Sequence, residues 1–228
     1  AILDAARALF TTEGYQQVSI RKIAERIEYS PAAIYSYFPS KDDIFFALAE
    51  EGFQLMVEMG DGTPAGRSPL ETLRARLMTL YRFSVAHPEH CALMLFDRSV
   101  PRIVKHREQF SQLIEMRRRM AETVQHCIDA GELPAGLGPP SVLRALLTAA
   151  QGAPAARLFN RLGPSEDGEA LARDVLDLAI AGLRAGAPLT FRAVPGECHL
   201  VAPDGEDEAP KAAASAGAAA SRPPGHSN

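Results

Sequence analysis

The 228-residue chain has no tryptophan, and aromatic residues make up only 7% of it. No apolar run approaches the roughly 20 residues needed to cross a bilayer, and no secretory leader is visible, so a membrane-spanning or exported protein is not expected. Cysteine is scarce. Cys91, Cys127 and Cys198 are odd in number and widely spaced, which fits reduced thiols in a cytoplasmic protein better than a disulfide framework. Positive charge is not in excess either, since the net charge is −4 and offers no general attraction for a polyanion. Runs of β-branched residues with a period of two are missing. So are a nucleophile elbow, a glycine-rich phosphate loop, an H-E-x-x-H helix and a paired-carboxylate motif, leaving no sign of an enzyme, a resident cofactor or a bound metal.

What is present points to helices. At 46% hydrophobic the chain can hold a small head and one larger domain with a core. Leu, Ala, Arg and Glu alternate through most of it, which predicts an all-α fold.

The densest signal is VSIRKIAERIEYSPAAIYSYFPSKDDIF, residues 18–45. Ser19 is a good N-cap, with Val18 and Ile23 placed for a hydrophobic staple. One helix later Ser30 caps, Pro31 suits the first helical position, and Tyr29 with Ile34 repeats the staple. Ile20, Ile23, Ala24 and Ile27 form one apolar stripe, Ile34 and Phe38 another. Pro39 stops the second helix. Ser40 caps a third, whose first turn carries Asp42 and Asp43, suited to the helix dipole. Two capped helices at this spacing read as a helix-turn-helix, the second of which can enter the major groove of DNA.

The segment resembles the DNA-binding head of the TetR family of transcriptional repressors. Ile34-Tyr35-Ser36-Tyr37-Phe38 followed by Pro39-Ser40-Lys41 matches the family's recognition helix and its lysine. AILDAARALFTTEGY matches its first helix, with Gly14 expected as a left-handed C-terminal cap. Glu28 stands where the family usually has Gly in the turn, at a cost of about 1 kcal/mol if it is left-handed. The chain begins inside the first helix, so an arm is expected to precede Ala1. The resemblance implies DNA contacts from Ser19, Arg21, Ser30, Pro31, Ala32, Ala33, Tyr35, Ser36, Tyr37 and Lys41. Lys41 and the tyrosine hydroxyls would meet phosphate, and Arg21 a base edge. Pro31, Ala32 and Ala33 would let the backbone approach the groove. Packing is the alternative for Phe38 and one tyrosine, and Lys22 and Arg26 read as solvated.

Beyond the head, a linking helix is expected from Lys41 to about Met59, then a Gly/Pro loop at 60–66. Ser68 caps a helix with Leu70, Leu73, Leu77, Leu80 and Tyr81 at helical spacing, which His87-Pro88 breaks. A short apolar helix follows. Pro101 is expected to open a long helix with Ile103, Phe110, Leu113, Ile114, Met120 and Val124 inward, ending near Gly131. Two last helices, 141–162 and 165–186, the second capped by Ser165, carry many Ala and Gly that permit close helix approach, as in a four-helix bundle. The composition from Pro188 onward is that of a disordered tail. The expected division is a head at 1–45, a ligand-binding and dimerisation domain at 46–187, and the tail at 188–228.

Other clusters have plain readings. His87, His90 and Cys91 fall short of structural zinc spacings, so loop-capping and packing are preferred to metal binding. Arg117-Arg118-Arg119 fans around a helix and finds Glu115 and Glu122 at ion-pairing spacing. Met78, Tyr81, Met94, Phe96, Phe110, Met116 and Met120 can line an apolar effector cavity, or merely fill a core. Arg82, Asp97, His106 and Gln151 are candidate polar anchors. The expected protein is a homodimeric, ligand-responsive repressor joined through its two last helices, binding double-stranded DNA and a small apolar effector. A helical small-molecule-binding protein without specific DNA binding is the alternative.

Overall fold

The computed structural model describes residues 1–62, 66–97, 99–101 and 110–191. All of its regular structure among these residues is helical: α1 (Ile2–Glu13), a 3-10 turn (Tyr15–Gln17), α2 (Ile20–Arg26), α3 (Pro31–Tyr35), α4 (Lys41–Asp61), α5 (Pro69–Ala86), α6 (Pro88–Leu95), α7 (Ser111–Asp129), α8 (Pro139–Leu158) and α9 (Gly168–Arg184). The expected caps at the head are in place. The Ser19, Ser30 and Ser40 hydroxyls accept from the amides of Lys22, Ala33 and Asp43, and Ser68 does the same for Glu71 at the start of α5.

Chain reversal at the end of α2 uses a Schellman motif. Tyr29 N–H reaches the Ala24 carbonyl at 2.9 Å and Glu28 N–H the Glu25 carbonyl at 3.4 Å, with Glu28 left-handed at φ 58. The same pattern ends α8 at Asn160, φ 53, where Arg161 N–H returns to Ala156 at 2.8 Å. The penultimate helix therefore stops four residues before the expected 162. At Gly14 the φ of 84 is positive, but ψ is 144, so the chain leaves α1 extended rather than through the left-handed cap expected there. Glu28→Gly should relieve the left-handed cost and raise unfolding free energy by about 0.5–1 kcal/mol. Chemical denaturation checks it, and an unchanged or lower midpoint would mean the turn is unstrained.

The start of α9 also differs from expectation. Asp167, not Ser165, caps it, accepting from Glu169 and Ala170 amides at 2.9 and 3.1 Å. At the first residue of the helix a Cβ on Gly168 would lie 2.4 Å from the Tyr81 hydroxyl, so only glycine fits under that ring. Phe110, Leu113, Met120 and Val124 are buried as expected, while Ile114 is exposed, because it sits about 100° round the helix from Leu113 and off the inner face. The tyrosine half of the second staple is likewise not buried: Tyr29 is exposed above a fully buried Ile34. Ile103, His106, Cys198, the first part of the helix expected from Pro101 and most of the expected tail lie outside the described residues.

One core runs from the head into the larger domain. Phe10 packs on Tyr15 and Tyr15 on Phe45, at 5.0 and 5.8 Å between ring centres. Phe46 and Phe53 both meet Phe110, at 5.9 and 5.6 Å. Both Phe45 and Phe46 are on α4, which threads the two halves. Arg7, on α1, adds a polar clamp: it pairs with Glu51 of α4 at 3.4 Å and with Glu89 of α6 at 3.2 Å. At the far end Arg74 grips Asp177 through two hydrogen bonds of 2.5 and 2.6 Å. That contact joins α5 to α9 and holds the Asp177 carboxyl below its ordinary range. No described helix is long and apolar enough to cross a membrane.

Candidate nucleic-acid interface and cavity

The head displays three tyrosines within nine residues of sequence: Tyr29, Tyr35 and Tyr37 are 52%, 54% and 70% exposed. Apolar rings left in water at such a density suit a face that meets a partner. Tyr29 and Tyr37 line a shallow surface cleft beside Ala1–Asp4 and Glu51. Phe38 is half-buried against the core, so packing claims the phenylalanine. α3 ends at Tyr35 rather than running on to Pro39, leaving Tyr35 at its last turn and Tyr37 just beyond it, both outside. Pro31 and Ala32 are exposed and Ala33 is half-buried. The Ser36 hydroxyl donates to the Ala33 carbonyl at 2.7 Å, and the Ser19 and Ser30 oxygens are engaged as caps.

The cations of the head are differently placed. Arg21 is 81% exposed and meets Glu25 at 3.1 Å, an exposed pair that is readily exchanged for a phosphate or a base edge. Lys22 is half-buried and ion-paired with Glu13, whereas Arg26 is exposed in solvent. Lys41 does more than the sequence suggests. Its ammonium donates to the Tyr15 carbonyl at 2.8 Å and lies 4.1 Å from the centre of the Tyr15 ring. Tyr15 in turn donates its hydroxyl to Asp42, and burial, with that acceptor, drives its pKa upward. Lys41 thus fastens the start of α4 to the turn after α1, with donors to spare for phosphate. Tyr15 was missed in the sequence because a lone aromatic after a glycine carries no periodicity.

A second feature lies where α4, α5, α7 and α8 meet. A cavity of about 80 Å³ is walled by Phe53, Met56, Val57, Gly60 and Asp61 of α4 and by Arg76, Leu77, Thr79 and Leu80 of α5. Leu95, Met116, Arg117, Arg119, Met120, Leu147 and Gln151 complete it. Of the residues expected to line an effector cavity, Met116 and Met120 are brought here, with Gln151 among the polar anchors. Elsewhere, Phe110 stacks in the core, Met94 packs beside Gly52, and Tyr81 covers Gly168. Phe96 meets Phe159, and Met78 is buried outside the lining. Arg82 faces Glu169, and Asp97 accepts from Ser99. The α4 wall carries a sequence signal that the expected lining does not include, the i, i+3, i+4, i+7 pattern of Phe53, Met56, Val57 and Gly60.

His90 is buried, 3.5 Å from both Arg7 and Glu51. Burial, then the neighbouring Arg7, hold its pKa below the ordinary histidine value. Burial raises Cys91 to about 12 and Cys127 to about 11, so neither is a reactive thiolate at neutral pH. No group of three metal-ligating side chains assembles among the described residues. Arg118 pairs with both Glu115 and Glu122, as the spacing predicts.

Comparison with known proteins agrees with the head. Residues 2–48 match the family model described as bacterial regulatory proteins, tetR family. The HTH-type transcriptional repressor KstR of Rhodococcus jostii is 36% identical over 81 residues, which cover 36% of this chain and 38% of KstR. The HTH-type transcriptional regulator AcrR of Shigella flexneri is 30% identical over 145 residues, 60% of this chain and 66% of AcrR. The chain thus spans from about a third to about two thirds of the length of the curated relatives it matches. Among solved structures, the TetR family regulator PfmR of Thermus thermophilus superposes with a TM-score of 0.60 at 26% identity, covering 80% of this chain and 98% of PfmR. FadR from Bacillus subtilis, solved with stearoyl-CoA, gives 0.66 at 21% identity over 79% of this chain and 97% of FadR. That second likeness is one of fold.

Proposed function

We propose, from the match of residues 2–48 to the tetR family of bacterial regulatory proteins, that the chain is a homodimeric transcriptional repressor of that family, released from DNA by a small effector. The observation that carries this reading is the double role of α4. Its first half buries Ile44, Phe45 and Leu48 in the head, and its second half supplies Phe53, Met56 and Val57 to the cavity. Ligand pockets usually hold about 300–1,000 Å³, so an effector entering this cavity has to displace its walls. Moving α4 moves the head. Each head would set α3 in the major groove of one half-site, with Tyr35, Tyr37 and Lys41 on phosphate and Arg21 at a base edge.

Dimerisation belongs to α8 and α9. On α9, Leu171, Val175, Leu178 and Gly182 form a stripe facing away from the buried Ala172, Leu176, Ile180 and Leu183. Gly152 on α8 and Phe159 just past its end are exposed, and nothing lies within 4 Å of a Cβ built at Gly152 or Gly182. Two such pairs, related by a two-fold axis, bury these faces in a four-helix bundle and match a palindromic operator. The protein would work in the cytoplasm, where the DNA is.

Selection from random duplexes should recover a palindrome, and titration of a bound ligand should weaken operator binding about 5–150-fold, a coupling typical of allosteric pairs. The coupling is reciprocal. An operator that leaves the affinity of the ligand unchanged would show that head and cavity are independent.

A further inference from the structure

The cavity is apolar in its depth but cationic at its edge. Three of its lining residues are arginines, Arg76, Arg117 and Arg119, against one acid, Asp61. Arg119 and Asp61 face each other at 3.4 Å, with side chains 40% and 54% exposed, and so mark the solvent end. Arg76 is different. It is half-buried, and its hydrogen bond among the described residues goes to the neutral hydroxyl of Thr123, at 3.1 Å. Thr123 is itself buried and donates to the Arg119 carbonyl at 2.8 Å. This relay aims the Arg76 fork and leaves most of its donors without a carboxylate among the described residues. A half-buried guanidinium beside Leu77, Leu80 and Met120, with no acid to neutralise it there, is costly unless an anion completes it.

From this we infer that the effector is an amphiphile with one oxyanion head and an unbranched apolar tail, the head taken bidentately by Arg76 and the tail by the space between α4 and α7. Met56, Met116 and Met120 line that space, and flexible thioethers can move aside for a chain where β-branched side chains would not. The fork fits both carboxylate and phosphate. Cationic amphiphiles and uncharged sterol-like ligands are disfavoured by the same geometry. The inference rests on the regulatory reading above, but it fails separately.

Isothermal titration calorimetry of the full chain with dodecanoate, dodecyl phosphate, dodecanol and dodecyltrimethylammonium, each below its micellar concentration, tests it. The two anions should bind about 10–100-fold tighter than the alcohol, the gain expected of a charge-assisted bidentate contact. The better of the two arms tells carboxylate from phosphate. In Arg76→Met the preference should vanish while dodecanol affinity stays within about twofold, since the apolar tail site is untouched. Arg76→Lys, which keeps the charge without the fork, should retain a reduced preference, and it serves if the methionine variant does not fold. Equal binding of anion and alcohol, a preference that survives loss of Arg76, or no binding by any probe overturns the inference. Operator binding measured alongside separates the outcomes: retained DNA binding without anion preference sinks only the effector class, and absent DNA binding sinks the regulatory reading.

Discussion

Leu178→Asp is expected to turn the dimer into a monomer and to abolish operator binding at concentrations where the wild type saturates. Leu178 is 73% exposed in the single chain, so its replacement leaves the subunit core intact. The proposed interface is isologous, which places the substitution on both sides of the two-fold axis. Two carboxylates would then enter an apolar seam of roughly 1,200–2,000 Å², each costing several kcal/mol unless paired. Dimer dissociation should strengthen by about a thousandfold or more on that basis. Operator affinity would follow, because a lone head forfeits the roughly 100–10,000-fold that bivalent binding supplies. Sedimentation or light scattering at micromolar concentration reads the first effect, and gel retardation the second. A variant that remains dimeric moves the interface elsewhere. Circular dichroism should report unchanged helicity if the subunit folds independently, which distinguishes lost assembly from lost structure.

The next largest effect is expected at Lys41, where stability and recognition meet on one ammonium. Lys41→Met keeps the aliphatic stem but loses the bond to the Tyr15 carbonyl and the contact with its ring. The head should be destabilised by about 1–2 kcal/mol from those losses. If Lys41 also meets phosphate, the logarithmic salt dependence of operator binding should fall by about one unit per subunit, through lost counterion release. A merely structural lysine would lower stability and leave the salt slope unchanged. Tyr37→Phe supplies the complementary case: its ring is exposed, so affinity should fall without any change in unfolding. Arg21→Ala should relax preference at one symmetric pair of positions by about 1–3 kcal/mol, as expected for a base-edge contact. Wild-type binding in all three would remove the helix-turn-helix from the role of DNA reader.

Order along the chain was legible wherever the signal was local. Ser19, Ser30, Ser40 and Ser68 each cap the helix that the sequence assigned to them, because an N-cap depends on atoms three residues away. The left-handed Glu28 was readable through the family resemblance, which puts glycine at that turn position. Prediction failed where distant residues decided. α9 begins at Gly168, capped by Asp167 rather than Ser165, and Tyr81, distant in the sequence, packs directly on that first residue. The effector lining was drawn from scattered methionines and aromatics, yet Phe110 and Met94 were claimed by the interior. Composition alone does not tell a core methionine from a cavity methionine.

By itself the sequence determined the kind of protein: helical throughout, with a capped and stapled head whose hydrogen bonds and apolar stripes close within a few residues. The tertiary structure decided which side chains cooperate. It pinned Lys41 on Tyr15, drew Arg7 of the head to Glu51 and Glu89, and set Arg76 on Thr123 beside an apolar space. Such contacts join residues tens of positions apart, and their geometry follows from how whole helices pack. Helical periodicity fixes which face of each helix is apolar, but it leaves open which neighbour that face will meet.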